Sequence, residues 1–228
     1  MFWYDYTILI LLPGLLLGLI VQVILKSTYS KYKKVPSVTG LTGYSAARKI
    51  LNDAGLFDVS IERIAGDLTD HFDPRANVLR LSEGVYDSPS VAAIGVAAHE
   101  CGHAIQYAES YGPMKLRGAL VKVTNFSSSA SIWLVLLGVL FSFEPLAYLG
   151  LGLFLLVVFF QLVTLPVEFD ASARAVKILG GGVMPQGELT AVKKVLSAAA
   201  MTYVASFISA LLQVLRLYMI ISGGRRRR

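Results

Sequence analysis

Hydrophobic positions in this chain fall into four long runs, with a polar stretch between the first and the second. Residues 7–25 carry no charge and have about the length that spans a bilayer. Pro13 and Gly14 interrupt the run, which membrane helices tolerate. A cleaved leader would start basic and end at a small-residue site. This start is Met1-Phe2-Trp3-Tyr4-Asp5-Tyr6, so the run reads as an uncleaved anchor, with Phe2, Trp3, Tyr4 and Tyr6 as an interfacial aromatic belt. Lys26, Lys31, Lys33 and Lys34 follow it, and positive charge beside a span marks the cytoplasmic side. That places the N-terminus outside and the polar stretch inside.

The later runs are residues 131–143 and 146–163, split by Glu144-Pro145, and residues 195–221. The first two read as a helical hairpin that crosses and returns. Its first arm is short unless the helix begins near Val121 with Asn125 and the serines turned inward. The last run is rich in small residues, which favours close helix packing, and holds Gln213 and Arg216. Four crossings put the C-terminus outside, yet it ends in Arg225–Arg228. Either the last segment does not fully cross or the first orientation is reversed.

Residues 35–115 are polar enough to fold in water. Thr42 is an N-cap for a helix to Asn52, with Ala46, Ala47, Ile50 and Leu51 on its apolar face and Gly55 as its stop. Residues 59–64 alternate and read as a strand; residues 78–81 read as a second, after turn chemistry at Asp73-Pro74-Arg75-Ala76-Asn77. Ser88-Pro89 predicts a helix over about 89–109, Ser as cap and Pro at the first helical position. The helix is apolar on nearly every face before residue 99, so it must be buried all round. After Pro166 a further helix is expected over residues 167–175, stopped by Gly180-Gly181-Gly182, and another from near Glu188.

Composition sharpens the picture. Charged residues make up 16% against about 25% in soluble domains, and hydrophobic residues 55%. The net charge of +6 flanks apolar spans, so its partners are anionic lipid head groups and not nucleic acid. Cys101 is the only cysteine, which excludes an intrachain disulfide.

The predicted helix 89–109 carries His99-Glu100-Cys101-Gly102-His103. Residues i and i+4 share a helix face, so both imidazoles can reach one metal ion, and Glu100 can deprotonate a water activated by it. Without a metal, the two histidines and the glutamate would be buried in an apolar helix with nothing to satisfy them. Catalytic zinc needs a third protein ligand. Glu168 is the best placed, at the start of a helix where the hairpin returns. Asp170 competes from a different face, and His71, Glu109 and Glu83 are further possibilities. Cys101 points away from the histidines and reads as packing. Gly102 also faces away and can admit a close neighbour.

The pattern resembles the membrane zinc peptidases of the gluzincin group, such as the heat-shock membrane protease and the CAAX-prenyl endopeptidase. It is more similar to the bacterial YugP-like neutral zinc metallopeptidases. The resemblance rests on residues 41–43, 68–75 (Leu-Thr-Asp-His-Phe-Asp-Pro-Arg), 81–83, 96–106 and 166–172 (Pro-Val-Glu-Phe-Asp-Ala-Ser), and covers nearly the whole chain. It implies Zn2+ held by His99, His103 and Glu168, with Glu100 as general base. Better-known gluzincins carry an aspartate four residues after the glutamate ligand, hydrogen-bonded to a zinc histidine. Here that position is Ser172, and Asp170 is the alternative support.

The expected architecture is an α-helical integral membrane protein of about four segments with a small α+β zincin-like domain. Its parts are an anchor (1–28), the zincin-like domain (29–115), a hairpin (116–165), the third-ligand helix and Gly-rich turn (166–187), and the last membrane helix and basic tail (188–228). The expected activity is a multi-pass plasma-membrane zinc endopeptidase, with its site at the cytoplasmic face and peptides or membrane proteins as substrates. A membrane scaffold with a structural zinc, or a zinc hydrolase of another bond, are the alternatives. His71 and Arg174 are candidate oxyanion donors. Against those roles stand a turn hydrogen bond for His71 and an i, i+4 pair with Asp170 for Arg174. The strand 78–81 either receives an extended substrate or is a core strand.

Overall fold

The computed structural model describes residues 6–225. The interfacial aromatics Phe2, Trp3 and Tyr4, the side chain of Tyr6 and the terminal arginines lie outside what is described. The helices are α1 (Leu12–Tyr32), α2 (Gly43–Asp53), α3 (Glu83–Tyr86), α4 (Val91–Ala108), α5 (Gly112–Leu140), α6 (Glu144–Ile178) and α7 (Gln186–Arg225). The strands are β1 (Ser60–Ile64), β2 (His71–Asp73) and β3 (Val78–Ser82). Four helical segments are long and apolar enough to cross a membrane: Thr7–Tyr32, Gly112–Leu140, Glu144–Val183 and Gln186–Gly223.

Two compact units divide the described residues. One comprises the residues up to Val21, Leu116–Leu165 and those from Thr202; the other is Gln22–Lys115 with Pro166–Met201. The first unit is helical and turns its large apolar side chains outward: Leu15, Leu16, Leu19, Trp133 and Leu140 are all exposed. Its core includes Val135, Phe154, Leu217 and Ile221, and small residues set the closest helix contacts. A Cβ on Gly150 would lie 2.6 Å from the Ser131 carbonyl oxygen, so the hairpin helices close backbone to backbone. Small residues at the closest helix contacts are expected of helices packed in lipid. The first arm of the hairpin is longer than its apolar run because α5 starts at Gly112. Ser127 and Ser131 are buried as expected, and Thr124 with them, but Asn125 and Ser129 are exposed.

The second unit has an ordinary apolar core. Thr42 caps α2: its hydroxyl accepts from Ser45 N (3.2 Å) while Ser45 Oγ accepts from Thr42 N (2.8 Å), a reciprocal capping box. The buried face of α2, with Ala46, Ala47, Ile50 and Leu51, packs with Ile94, Ala97, Ala98 and Cys101 of α4 and with Leu79 and Leu81 of β3. Burying a side chain the size of Leu contributes about 1.5–3 kcal/mol, so these few residues suffice to fix α4.

Four expectations are corrected. The cap of α4 is Ser90, not Ser88: Ser90 Oγ accepts from Ala93 N (3.2 Å), while the carbonyls of Ser88 and Pro89 accept from Gly43 and Ser37 and hold that segment extended. The sheet has three strands in the order β1-β3-β2, with β1 and β3 parallel and β2 antiparallel to β3. Residues 78–82 are therefore the central strand, paired on both edges, and cannot receive an extended substrate. Pro166 does not begin a helix; it sits inside the continuous α6. A proline there forfeits one backbone hydrogen bond, at a cost of about 3 kcal/mol in an isolated helix.

Arg80 of β3 ties both neighbours on the outer face of the sheet, donating to Glu62 Oε2 (3.0 Å) and to Asp73 Oδ2 (2.8 Å). Those bonds hold the Asp73 carboxyl below its ordinary range. Past α6 the glycines make a wide helical turn, Leu179–Val183. Gly182 adopts φ +116°, which only glycine takes without strain, and so frees the chain to start α7.

Candidate metal centre

The apolar helix α4 positions the site. Its core face anchors it against α2 and the sheet, and His99 and His103 project one turn apart on another face. The helix α6 brings Glu168, whose side chain is almost wholly buried. The approach is set by Gly102: a Cβ there would lie 2.8 Å from the Ala171 carbonyl oxygen and 3.2 Å from its Cα. The expected close neighbour of Gly102 is thus the helix that carries the third acid. Cys101 packs away from the histidines, its Sγ 3.6 Å from the Ala47 carbonyl, and burial pushes its thiol well up. It is an inert packing residue.

One ligand atom from each of His99, His103 and Glu168 lies within 4.8 Å of the others. Glu168 Oε2 is 3.3 Å from His99 Nε2 and 3.6 Å from His103 Nε2. Zinc bonds of 2.0–2.1 Å in a tetrahedron require ligand atoms about 3.4 Å apart. The two Glu168 spacings bracket that edge, and the whole set lies within 4.8 Å, which is compatible with a zinc ion.

The hydrogen bonds fix which nitrogen faces the acid. Gln106, fully buried one turn past His103, donates from Nε2 to the Val167 carbonyl and to Asp170 Oδ2, both at 2.8 Å. Both are pure acceptors, so its other atom, Oε1, must accept the 3.0 Å bond from His103 Nδ1. The proton of a neutral His103 is then on Nδ1, and the Nε2 lone pair faces Glu168. Two lone-pair atoms that close need a cation between them, a proton or a metal. Burial lowers the pKa of the His103 imidazole, but the Glu168 carboxylate and the Glu100 charge outweigh it and the net direction is up. The site attracts positive charge.

The outer supports extend further. Arg174 donates from Nε to Asp170 Oδ2 (2.6 Å) and from a terminal nitrogen to Glu109 Oε2 (2.6 Å). On the other histidine, Ser172 Oγ lies 3.2 Å from His99 Nδ1. The serine lies beside His99, and Asp170 is linked to His103 through Gln106. Gln106 itself was given no role. Its signal was a wholly polar side chain at i+3 from His103 in an apolar buried helix.

Glu100 is buried beside His99, and no hydrogen bond or ion pair engages its carboxylate among the described residues. Asp70 is a near neighbour in charge. Burial raises its pKa and the Glu100 charge raises it further, while Ser82 opposes this by donating from its backbone and its hydroxyl. His71 stands on β2, an edge strand of the sheet, and is exposed; its Nδ1 donates to the Thr69 carbonyl (2.8 Å), leaving Nε2 outward. Of the weaker ligand candidates, Glu109 pairs with Arg174 and Glu83 with Arg63 (3.2 Å), so neither joins the cluster.

Comparison with known proteins agrees with this geometry. A family model described as "Putative neutral zinc metallopeptidase" matches residues 7–222. A protein of Bacillus subtilis (strain 168), named "Putative membrane protease YugP", is 49% identical over 201 residues, which is 88% of this chain and 89% of that protein. No solved structure matches the chain. With its metal-ligand cluster and four membrane-length helices, the chain belongs to the neutral zinc metallopeptidase family that this model describes.

Proposed function

We propose that the protein is a membrane-embedded zinc endopeptidase in which His99, His103 and Glu168 hold the metal and Glu100 is the general base. The observation that carries this reading is a three-ligand cluster at zinc spacing with an unpaired buried carboxylate next to it in sequence. Zinc supplies the Lewis acidity that lets water lose a proton near neutral pH. Glu100 receives that proton as the water attacks a peptide carbonyl, then delivers it to the departing nitrogen. Its lack of a competing partner leaves its lone pairs available for this. The developing oxyanion needs a further donor. Arg174 has donors engaged by Asp170 and Glu109, so we assign it to positioning. We assign the donor role to His71, whose Nδ1 is turned to the Thr69 carbonyl.

We further propose that residues 29–115 and 166–187 form the catalytic part, in the cytoplasm, on the strength of the lysines that follow the first apolar run. Residues 1–28, 116–165 and 188–228 then serve as membrane segments. Cysteine labelling of the intact membrane checks the orientation; labelling from outside near Lys33 would reverse it.

The decisive variant is Glu100→Gln, assayed with a quenched-fluorescence peptide library on the purified full chain. Expected is full zinc content by elemental analysis with cleavage reduced at least about a thousandfold. A Gln variant as active as the parent would show that Glu100 is no base and favour a structural zinc. His71→Ala should keep zinc and lose rate; unchanged turnover removes it from the mechanism.

A further inference from the structure

Away from the metal cluster, α1 and α7 face each other across a groove of about 700 Å³. We propose that this groove is a binding site for the phosphate head group of an anionic phospholipid. Three lysines line it: Lys31 from α1, and Lys193 and Lys194 from α7. No acidic side chain shares the lining, and none of the three forms an ion pair among the described residues. The nearest acid on α7, Glu188, is occupied elsewhere, accepting from Ser37 Oγ (2.7 Å) and from Val38 N (2.8 Å). Three like charges gathered without a counter-charge repel one another, and an anion between them removes that repulsion. Five residues with hydroxyl groups, Ser27, Thr28, Tyr32, Thr190 and Ser197, share the lining and offer the donors that phosphate oxygens accept.

The order of residues along the two helices selects a lipid over a free anion. On α1 the lining runs from Ile24 through Ser27 and Thr28 to Lys31, spacings that form one stripe. On α7 it runs from Thr190, Lys193 and Lys194 through Ser197 to Met201, again one stripe. Both stripes are therefore apolar at the end that continues into the apolar run of their helix, and cationic at the other. A molecule with an anionic head and apolar tails matches that gradient in one orientation; inorganic phosphate uses only half of it. The N-terminal end of α7, one turn before Thr190, adds a partial positive charge at the cationic end.

The test uses the purified full chain in micelles containing equal amounts of phosphatidylglycerol and phosphatidylcholine, with retained lipid counted by native mass spectrometry. Expected is a preference for phosphatidylglycerol that falls about tenfold or more in Lys31→Gln/Lys193→Gln/Lys194→Gln. The control Lys26→Gln/Lys34→Gln/Lys115→Gln removes equal charge from exposed positions outside the lining and should keep the preference. Equal loss in the control would reduce the effect to general surface charge and overturn the site. Millimolar inorganic phosphate that displaces all bound lipid would reassign the groove to a free anion. If the triple variant fails to fold, the single changes Lys193→Gln and Lys194→Gln each carry the test, with a severalfold loss expected and no loss overturning it. Because the readout is lipid and not cleavage, the result stands apart from the peptidase reading.

Discussion

His99 and His103 stand one turn apart on the same helix and face the same Glu168 oxygen, yet they are held differently. His103 is backed by Gln106, then Asp170, then Arg174, then Glu109. His99 is backed by one hydroxyl, that of Ser172. A chain that begins at the buried Gln106 and ends in charged groups fixes the ring and its tautomer firmly, and a lone serine fixes it weakly. The carboxylate support of this site thus acts from position 170, not 172, and reaches the second histidine through an amide instead of touching a ring directly. An amide in that place can donate to two acceptors and still accept from the imidazole, which a carboxylate cannot do.

Changes that strike both histidines should be the largest. Glu168→Ala removes the one group that faces both, and zinc by elemental analysis should fall from about one per chain to near zero, with cleavage lost at least about a thousandfold. Full metal retention would move the third ligand elsewhere, Asp170 first. Next is Gly102→Ala, which adds a methyl where the α6 backbone already stands. Overpacking of this kind costs about 1–3 kcal/mol, and here it should also push Glu168 away from both rings. Thermal unfolding of the zinc-free chain and zinc titration measure the two effects separately; a variant that binds zinc as the parent does would mean that α6 yields without moving its acid.

Gln106→Leu comes third and acts on one histidine alone. It keeps the volume but leaves His103 Nδ1 without its acceptor and takes one donor each from the Val167 carbonyl and from Asp170, which retains Arg174. Loss of such a supporting residue typically costs about 10–100-fold in metal affinity. Competition with a fluorescent zinc chelator would read it, and an unchanged affinity would erase the contrast between the two rings.

Much of this was legible in the sequence because it is local or periodic. The i, i+4 histidines, the cap at Thr42 and the apolar faces of α2 and α4 depend on spacing along one helix. Glu168, the proposed third ligand, drew attention because it stands where the hairpin returns, and the fold brings it to the two histidines. What escaped depends on partners distant in the chain. Strand β2 is only three residues long and owes its form to pairing with β3, so no alternation betrays it. Pro166 reads as a helix breaker, yet the apolar residues on both sides keep α6 continuous through it. Ser88 and Ser90 are equally good caps by residue type, and the choice is made by hydrogen bonds from Ser37 and Gly43. Gln106 was visible as a polar residue out of place, but two of its three bonds run to residues about sixty positions later.

Ser172 carries the smallest expected effect and the sharpest comparison. Ser172→Ala deletes the only hydrogen bond described at His99 Nδ1, at a site where the imidazole is still gripped through Nε2 and by its helix. A neutral hydrogen bond contributes about 0.5–1.5 kcal/mol, so zinc affinity should fall less than about tenfold, well below the loss in Gln106→Leu. The converse change, Ser172→Asp, places a carboxylate on His99 and should raise zinc affinity by strengthening the ring as a ligand. It also sets a second negative charge four residues after Glu168, on the same helix face. If Ser172→Ala costs as much as Gln106→Leu, the two histidines are equally supported and the long chain behind His103 confers no advantage. If the aspartate weakens zinc binding, repulsion between the two carboxylates exceeds the gain at His99, which would give a physical reason for the serine in this chain.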